Sequence, residues 1–477
     1  MSANNPLKPS QRMRIPRQES SEQEAGPRSV NFLEVSYGFD EERAIQESQR
    51  CLECKRPYCT DGCPVGIDIR GFIDLVVQKD FVGAVKKIRE ANYLPAICGR
   101  VCPQESQCEA LCVMGKKLDP VAIGKLERFV ADYEMKNNLF TAPANAGRRG
   151  EKVAIVGSGP SGLTCAAELA QKGYQVTIFE ALHAVGGVLR YGIPEFRLPK
   201  EILDLETNRI KALGVEIYTN FVVGRTATID ELFNEWGFNA IFLGTGAGTP
   251  TFMGIPGESL SGVYSANEFL TRVNLMGAYK FPQNDTPIHI GKAVGVIGGG
   301  NTAMDAIRTS RRLGAEKAYL IYRRSREEMP AREEEIHHAE QEGIEFLLLT
   351  APLRILGDNN NWVCAMECQK MALGEPDESG RRRPVPVKDS EFTLELQTVI
   401  EAIGQKPNPI IQATTPGLET STRGTVVTNE KQGTSRDGIF AGGDLARGGA
   451  TVILAMKDGK EAAAAIHDYL NPAEADA

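Results

Sequence analysis

The chain of 477 residues carries a formal net charge of −8 and contains 42% hydrophobic and 24% charged residues, which excludes a collagen-like or wholly disordered protein. The acidic balance does not favour nucleic acid as a partner, and the absence of an apolar run of about 18 residues predicts no membrane span. The first residues lack the apolar core of a secretion signal, so we expect a cytoplasmic protein of roughly three domains.

Residues 1–30 are polar and rich in Pro, Gln and Ser, which predicts a mobile N-terminal arm. The next segment, residues 31–148, contains eight of the 11 cysteines, all between Cys51 and Cys112. In a reducing cytosol such a dense set is more typical of metal binding than of disulfides. We therefore expect residues 31–148 to form a helical metal-binding domain.

The spacing of these cysteines is typical of iron–sulfur ligands. The first group reads Cys51-x2-Cys54-x4-Cys59-x3-Cys63-Pro64, and the second reads Cys98-x3-Cys102-Pro103-x4-Cys108-x3-Cys112. In two-cluster ferredoxins the cysteine before a proline ligates the other cluster. This rule predicts two [4Fe–4S] clusters, one held by Cys51, Cys54, Cys59 and Cys112 and the other by Cys63, Cys102 and Cys108. The fourth ligand of the second cluster is either Cys98 or the carboxylate of Glu127, and the spacing does not decide between them.

The next segment predicts a dinucleotide site. Lys152–Val156 reads as a buried parallel strand, a G-x-G-x-x-G turn and a helix to about Gln171 follow, and the strand Gln175–Phe179 ends in an acid. Such glycines let the backbone approach a pyrophosphate at the helix N-terminus, and the acid accepts hydrogen bonds from a ribose. The predicted contacts are Gly157, Gly159, Pro160, Ser161, Gly162 and Glu180.

The same pattern returns further along the chain. The strand Ala293–Ile297 leads into a G-x-G-x-x-A turn and a helix, and the strand Ala318–Tyr322 ends in Arg323-Arg324 where the first unit has an acid. Arginine pairs with a 2′-phosphate that an acid would repel, so this unit predicts NADPH rather than NADH. The predicted contacts are Gly298, Gly299, Gly300, Asn301, Thr302, Arg323 and Arg324, with Arg332 as a further one.

A third segment fits a flavin enzyme. Gly438–Asp444 is an apolar strand ending in Gly443-Asp444, and the helix after it begins at about Ala450. The matched apolar strands Ile241–Gly246 and Val399–Gly404 are typical of crossings between two such units. We therefore predict a multi-domain fold in which a helical iron–sulfur domain precedes two α/β Rossmann-like domains. The NADPH domain (289–403) is inserted into the FAD domain (149–288 and 404–477).

The chain resembles the NADPH-oxidising small (β) subunit of glutamate synthase, a family that includes the N-terminal half of dihydropyrimidine dehydrogenase and the large subunit of the NADH-dependent reduced ferredoxin:NADP oxidoreductase. The resemblance covers nearly the whole chain after about Asn31. It rests on CGRVCPQ (Cys98–Gln104), PVAIGKLERF (Pro120–Phe129), GGVLRYGIPEFRLPK (Gly186–Lys200), GGGNTAMDAIR (Gly298–Arg308), GEPDESGRRR (Gly374–Arg383) and GIFAGGDLARGGATVILAM (Gly438–Met456).

The resemblance implies several site residues and a partner. It favours Glu127 as the fourth ligand of the second cluster, with Cys98 close but not bonded. We expect Gly187, Arg197 and Thr451 to lie near the FAD. It also implies that electrons from NADPH leave for a larger FMN-containing synthase subunit, which makes glutamate from glutamine and 2-oxoglutarate.

Two other functions stay open. A ferredoxin-coupled NADPH oxidoreductase, which exchanges or bifurcates electrons with a ferredoxin-type partner, shares every motif above. A zinc-stabilised, non-enzymatic partner scaffold would need zinc at the cysteines, although structural zinc prefers two C-x2–4-C pairs. In either enzyme a flavin belongs between NADPH and the clusters, because it takes two electrons and releases them singly. No side chain is predicted to act as a catalytic acid or base, and Arg381–Arg383 is expected to be a solvated turn.

Overall fold

A computed structural model describes residues 7–141, 147–378 and 380–472. The N-terminal part is a helical domain in which the carboxylates of Asp40, Asp68 and Asp80 each cap a helix by accepting a backbone N–H. Its main helices are Glu41–Gln49, Tyr58–Asp61, Ile69–Val77, Phe81–Arg89, Pro95–Val101 and Ile123–Lys136. The loops between these helices carry most of the clustered cysteines.

The segment before this domain is packed rather than mobile. Residues 9–12 and 25–28 are short helices, and the strand Ser21–Glu22 pairs antiparallel with Ser36–Gly38. Arg12 and Arg28 are buried, and Arg28 reaches Glu342 of a distant domain. The predicted mobile arm is therefore replaced over residues 7–30 by an ordered strap, because its arginines find carboxylate partners that the sequence does not reveal. Residues 1–6 of that prediction lie outside the described part.

The first Rossmann-like domain is built on a parallel sheet of five strands. In spatial order these are Ile439–Ala441, Ala240–Leu243, Lys152–Val156, Gln175–Phe179 and Glu216–Tyr218. The helices Pro160–Gln171 and Val452–Leu470 pack against each other and against the strands. Further helices are Val188–Tyr191, Lys200–Lys211, Ile229–Asn234, Ile410–Thr414 and Asp444–Arg447.

The second domain repeats the plan and interrupts the first in sequence. Its parallel strands are, in spatial order, Glu345–Leu348, Lys317–Tyr322, Ala293–Ile297, Thr398–Glu401 and Val263–Ser265. Its helices include Ala266–Leu270, Asn301–Arg312 and Glu333–Gln341. The strand Val263–Ser265 places the start of this domain before the predicted residue 289, since three residues without a glycine motif give little sequence signal.

The second domain also carries a three-stranded antiparallel sheet, whose last two strands form a long hairpin. The strands Thr350–Gly357, Val363–Pro376 and Arg382–Glu395 form a three-stranded sheet, so Arg381–Arg383 stands at the end of an extended ribbon. A small sheet of Thr249–Pro250 and Gln405–Lys406 joins the two crossings between the Rossmann-like domains. The predicted fold class is confirmed. Within the described ranges, no helix has the length and apolar character needed to cross a membrane.

Candidate functional site

Four cysteines gather near one surface of the helical domain. Cys51, Cys54, Cys59 and Cys112 line a common cavity together with Tyr58. Burial and the charges of Cys59, Cys112 and Cys54 together raise the pKa of the Cys51 thiol to about 12. Burial and the charge of Cys112 raise the pKa of Cys59 to about 11. A bound cation would oppose both effects, because metal ligation requires the thiolate form.

A second set lies deeper and mixes the two sequence groups. Burial raises the pKa of Cys63 to about 11, and Glu127 and Cys102 also act on it. The hydrogen bond with Cys98 and burial raise the pKa of Cys102, and burial raises that of Cys108; the charge of Glu127 contributes to both shifts. The structure thus brings together the residues assigned to each set by their spacing, and their ligation of clusters stays a prediction.

The two candidates for the fourth ligand of the second cluster, Glu127 and Cys98, have different surroundings. Glu127 is 6% exposed, burial raises its pKa to about 8, and its Oε1 accepts a hydrogen bond of 2.7 Å from Asn92 Nδ2. Cys98 Sγ lies 3.5 Å from the sulfur of Met456, on the helix Val452–Leu470 of the first Rossmann-like domain. Sequence reasoning missed both Asn92 and Met456 as neighbours of this set, because only the fold brings them there.

The spacing of the thiols bears on the zinc alternative. Zinc ligand sulfurs lie about 2.3 Å from the metal and so crowd around one ion. Throughout the part of the chain that the structure describes, no three His, Cys, Asp or Glu side chains are close enough to hold a single metal ion. In a four-iron cluster, by contrast, each iron takes its own ligand.

The first glycine-rich turn forms a cradle at the carboxyl end of its sheet. Gly157 has φ +100°, and a Cβ on Gly162 would lie 2.0 Å from the Gly157 carbonyl oxygen. A Cβ on Gly159 would meet nothing within 4 Å, so the chain leaves open space where Pro160 begins the helix. These features fit a pyrophosphate at the helix N-terminus.

The other predicted flavin contacts surround this cradle. Glu180 is buried and accepts hydrogen bonds from the backbone N–H of Ser158 (2.9 Å) and Leu182 (2.8 Å), so it shapes the turn. A Cβ on Gly187 would lie 2.9 Å from Gly159 Cα, and one on Gly443 would lie 2.8 Å from Ser161 Oγ.

Asp444 and Thr451 lie just before the long C-terminal helix. Burial raises the pKa of Asp444 to about 6, and its Oδ1 accepts the Ala450 N–H at 3.1 Å. Thr451 caps the helix Val452–Leu470 by accepting a bond from the Leu454 N–H. Their contact with a flavin stays a prediction.

Arg197 connects the two Rossmann-like domains. Its Nη1 bonds both carboxylate oxygens of Asp305 at 2.7 Å, and its Nε lies 3.0 Å from Glu335. Both acids belong to the second Rossmann-like domain, and these buried carboxylates neutralise the guanidinium. That Arg197 also lies near the FAD stays a prediction.

The second glycine-rich turn has a matching shape. Gly298 has φ +143°, and a Cβ there would lie 2.4 Å from the Ala402 carbonyl oxygen, so strand Thr398–Glu401 closes on the turn. Gly300 is the N-cap of the helix Asn301–Arg312, and Thr302 in its first turn is exposed. The Oδ1 of Asn301 accepts the Arg332 N–H at 3.0 Å. This arrangement fits a second dinucleotide.

The three arginines predicted to contact the 2′-phosphate differ in their exposure and in their partners. Arg323 is exposed, whereas Arg324 is buried and donates to Asp377 of the hairpin. Arg332 donates to Glu105 and to Gln104 Oε1, both at 3.1 Å, in the helical domain. Arg332 therefore joins two domains through these polar partners, and its contact with the phosphate stays a prediction.

Comparisons with known proteins agree with this architecture. Residues 28–139 match a family model described as the dihydropyrimidine dehydrogenase domain II, 4Fe-4S cluster, and residues 151–459 match the pyridine nucleotide-disulphide oxidoreductase model. FprA of Mycobacterium tuberculosis, solved in complex with NADPH, is 21% identical with a TM-score of 0.57. That match covers 69% of this chain and 86% of FprA, and it supports the fold alone.

Two relatives of known name assign the chain to a more specific family. The chain is 35% identical over 449 residues to the glutamate synthase [NADPH] small chain of Escherichia coli, covering 93% of this chain and 95% of that one. It is 41% identical over 436 residues to the β subunit of the NADP(+)-dependent formate dehydrogenase of Moorella thermoacetica, but it spans only 60% of that subunit. The chain is thus an oxidoreductase that belongs to the pyridine nucleotide-disulphide oxidoreductase family and, within it, to the family of glutamate synthase small chains.

Proposed function

We propose that this chain oxidises NADPH with the help of FAD and two [4Fe–4S] clusters and delivers the electrons to a partner protein. The observation that carries this proposal is the meeting of two glycine-rich cradles and two thiol sets in one chain. The sulfur atoms of Cys98 and Met456 lie 3.5 Å apart. Cys98, the alternative ligand of the deeper thiol set, therefore contacts the helix Val452–Leu470 of the first Rossmann-like domain. A flavin, when bound, supplies the conversion between hydride and single-electron transfer.

The chain's own residues bind and orient these groups. The Gly157–Gly162 turn offers backbone N–H groups and a helix N-terminus to a pyrophosphate, and the Gly298–Gly300 turn does the same for NADPH. Arg323 and Arg324 provide positive charge for its 2′-phosphate. Seven cysteines and Glu127 supply the eight ligands of the two clusters. A cytoplasmic location is part of the same proposal.

The partner we propose is the larger, FMN-containing subunit of a glutamate synthase. The support is the near full-length match to a glutamate synthase small chain. A ferredoxin-type or other redox subunit is the second candidate, favoured by the match to part of a formate dehydrogenase subunit. Co-purification from the native host, followed by a test for glutamate formation from glutamine and 2-oxoglutarate, distinguishes the two.

Anaerobically purified protein should be brown, with cluster absorption under the flavin bands. We expect NADPH to bleach both at lower concentration than NADH, because the turn that contains Arg323 favours a 2′-phosphate. The measurement is an anaerobic titration followed by absorption, with iron and zinc analysis. A colourless protein that contains zinc would refute the proposal and favour a scaffold.

Substitutions of the second and third glycines of the first turn, Gly159 and Gly162, should have different effects. Gly162→Ala places a Cβ 2.0 Å from the Gly157 carbonyl, so we expect both flavin loss and a lower unfolding temperature. Gly159→Ala meets no protein atom within 4 Å and should fold normally, yet lose flavin because the Cβ occupies the open cradle. The flavin-to-protein ratio and thermal unfolding of the flavin-free protein report the two effects. Full flavin content in Gly159→Ala would argue that the cradle holds no cofactor.

A further inference from the structure

We infer that the tip of the long hairpin is part of the coenzyme site, where Asp377 orients Arg324 for the 2′-phosphate of NADPH. The inference rests on the proposed function and adds a specificity residue to it. Arg324 follows the strand Lys317–Tyr322 and is only 6% exposed. Its Nη2 lies 2.6 Å from Asp377 Oδ2, and its Nε donates to the Arg382 carbonyl oxygen at 2.8 Å.

The hairpin is fixed to this turn through the main chain as well. The Leu349 N–H donates to the Arg324 carbonyl oxygen at 3.1 Å, and the Met371 N–H donates to the Leu349 carbonyl oxygen at 2.8 Å. At the tip, the Asp377 N–H donates to the Arg381 carbonyl oxygen at 2.7 Å. Asp377 is thereby held at a defined place beside Arg324, although it lies 53 residues further along the chain.

Two contacts leave a guanidinium with donors to spare. Arginine has five N–H donors in a rigid fork, of which the hairpin takes two here. An arginine held in one orientation loses less conformational entropy when an anion binds, so preorganisation strengthens binding. Arg323 beside it is exposed and contributes charge. Selectivity for NADPH thus depends on an acidic residue, because that residue positions the buried arginine.

The arrangement also assigns a role to the GEPDESGRRR segment. The sequence alone predicts a solvated turn there, whereas the structure brings Asp377 and Arg382 of this segment to Arg324, just after the strand Lys317–Tyr322. Asp377 is a positioning residue, since it acts through Arg324 and repels the phosphate itself.

Binding of two small probes to the intact holoprotein tests the inference. Adenosine 2′,5′-bisphosphate carries the 2′-phosphate, and 5′-AMP lacks it. We expect Asp377→Ala to weaken binding of the bisphosphate about tenfold in calorimetry and to leave binding of 5′-AMP unchanged. Asp377→Asn keeps an oxygen acceptor and should lose less. The ratio of the KM for NADPH to the KM for NADH should rise, and it should rise more for Asp377→Ala than for Asp377→Asn.

Glu375→Ala is the matched control, because it removes the same charge from an exposed position two residues before Asp377, on the strand Val363–Pro376. It should not weaken binding of the bisphosphate, since loss of a nearby negative charge favours an anion. Unchanged or tighter binding by Asp377→Ala, in a wild type that prefers the bisphosphate, would overturn the inference alone. A wild type that binds both probes equally would overturn the proposed NADPH site, and the inference with it.

Discussion

Replacing Cys63 with alanine should remove a different cluster from that lost when Cys59 is replaced, although the two residues lie four positions apart. Cys59 shares a cavity with Cys51, Cys54 and Cys112, whereas Cys63 lies with Cys102, Cys108 and Glu127. Each variant should fall from about eight to about four irons per chain, because we propose that each set holds one four-iron cluster.

Iron analysis and electron paramagnetic resonance of the reduced protein make this measurement. We expect the two variants to keep complementary signals that sum to the wild-type spectrum. The loss of a ligand also lowers stability, because metal binding is coupled to folding in domains with small cores. Cys364→Ala is the control, since Cys364 is exposed on the hairpin far from both sets along the chain.

The same change in iron content and spectrum in both variants would count against the assignment of Cys59 and Cys63 to different clusters. If both variants lost the same signal, Cys59 and Cys63 would ligate one cluster. If both lost all iron, the test moves to Cys59→Ser and Cys63→Ser, which retain an oxygen ligand. Identical spectra from that pair would contradict the assignment as well.

The sequence predicts the cradles well because their chemistry is local. A strand, a glycine turn and a helix follow one another within about 20 residues, and the turn needs glycine where φ is positive or another backbone approaches, as at Gly157 and Gly298. The cysteine sets are also readable, since each motif fixes its own spacing and Pro64 marks the residue that crosses over.

What the sequence does not reveal is the partner of each buried arginine, because these partners are distant along the chain. Arg197, Arg324 and Arg332 contact Asp305, Asp377 and Glu105 from other elements. A charged side chain on one strand end gives no signal of which carboxylate the fold brings to it. The same reason explains why residues 7–30 read as a mobile arm: the partner of Arg28 is Glu342, 314 positions away.

Glu342→Gln should lower the free energy of unfolding by about 3–5 kcal/mol, because it leaves several buried guanidinium groups without their anion. The Glu342 side chain is fully buried, and Arg308 and Arg312 each donate two hydrogen bonds of 2.7–3.0 Å to it. Arg28 of the N-terminal strap adds a third cation at 3.1 Å. The variant should therefore also release the strap to proteases.

The pH dependence has a defined sign. Burial alone would raise the pKa of Glu342, but the hydrogen bonds from Arg312 and the charge of Arg308 outweigh it and lower the pKa to about 2 from an ordinary 4.5. A carboxyl with a depressed pKa stabilises the fold fully above its unfolded value, and this contribution is lost as pH falls through the folded value. The stability difference between wild type and Glu342→Gln should thus shrink between about pH 4.5 and pH 2.

Urea unfolding at several pH values measures this difference, and Glu340→Gln serves as the control. Glu340 pairs with Arg326 on the exposed side of the same helix, where an ion pair contributes at most about 1 kcal/mol. Equal stabilities for Glu342→Gln and Glu340→Gln at neutral pH would mean that the buried cluster adds nothing to the fold. A large loss for Glu342→Gln alone would instead establish that one carboxylate holds the strap and the second Rossmann-like domain together, and so keeps both cradles in place.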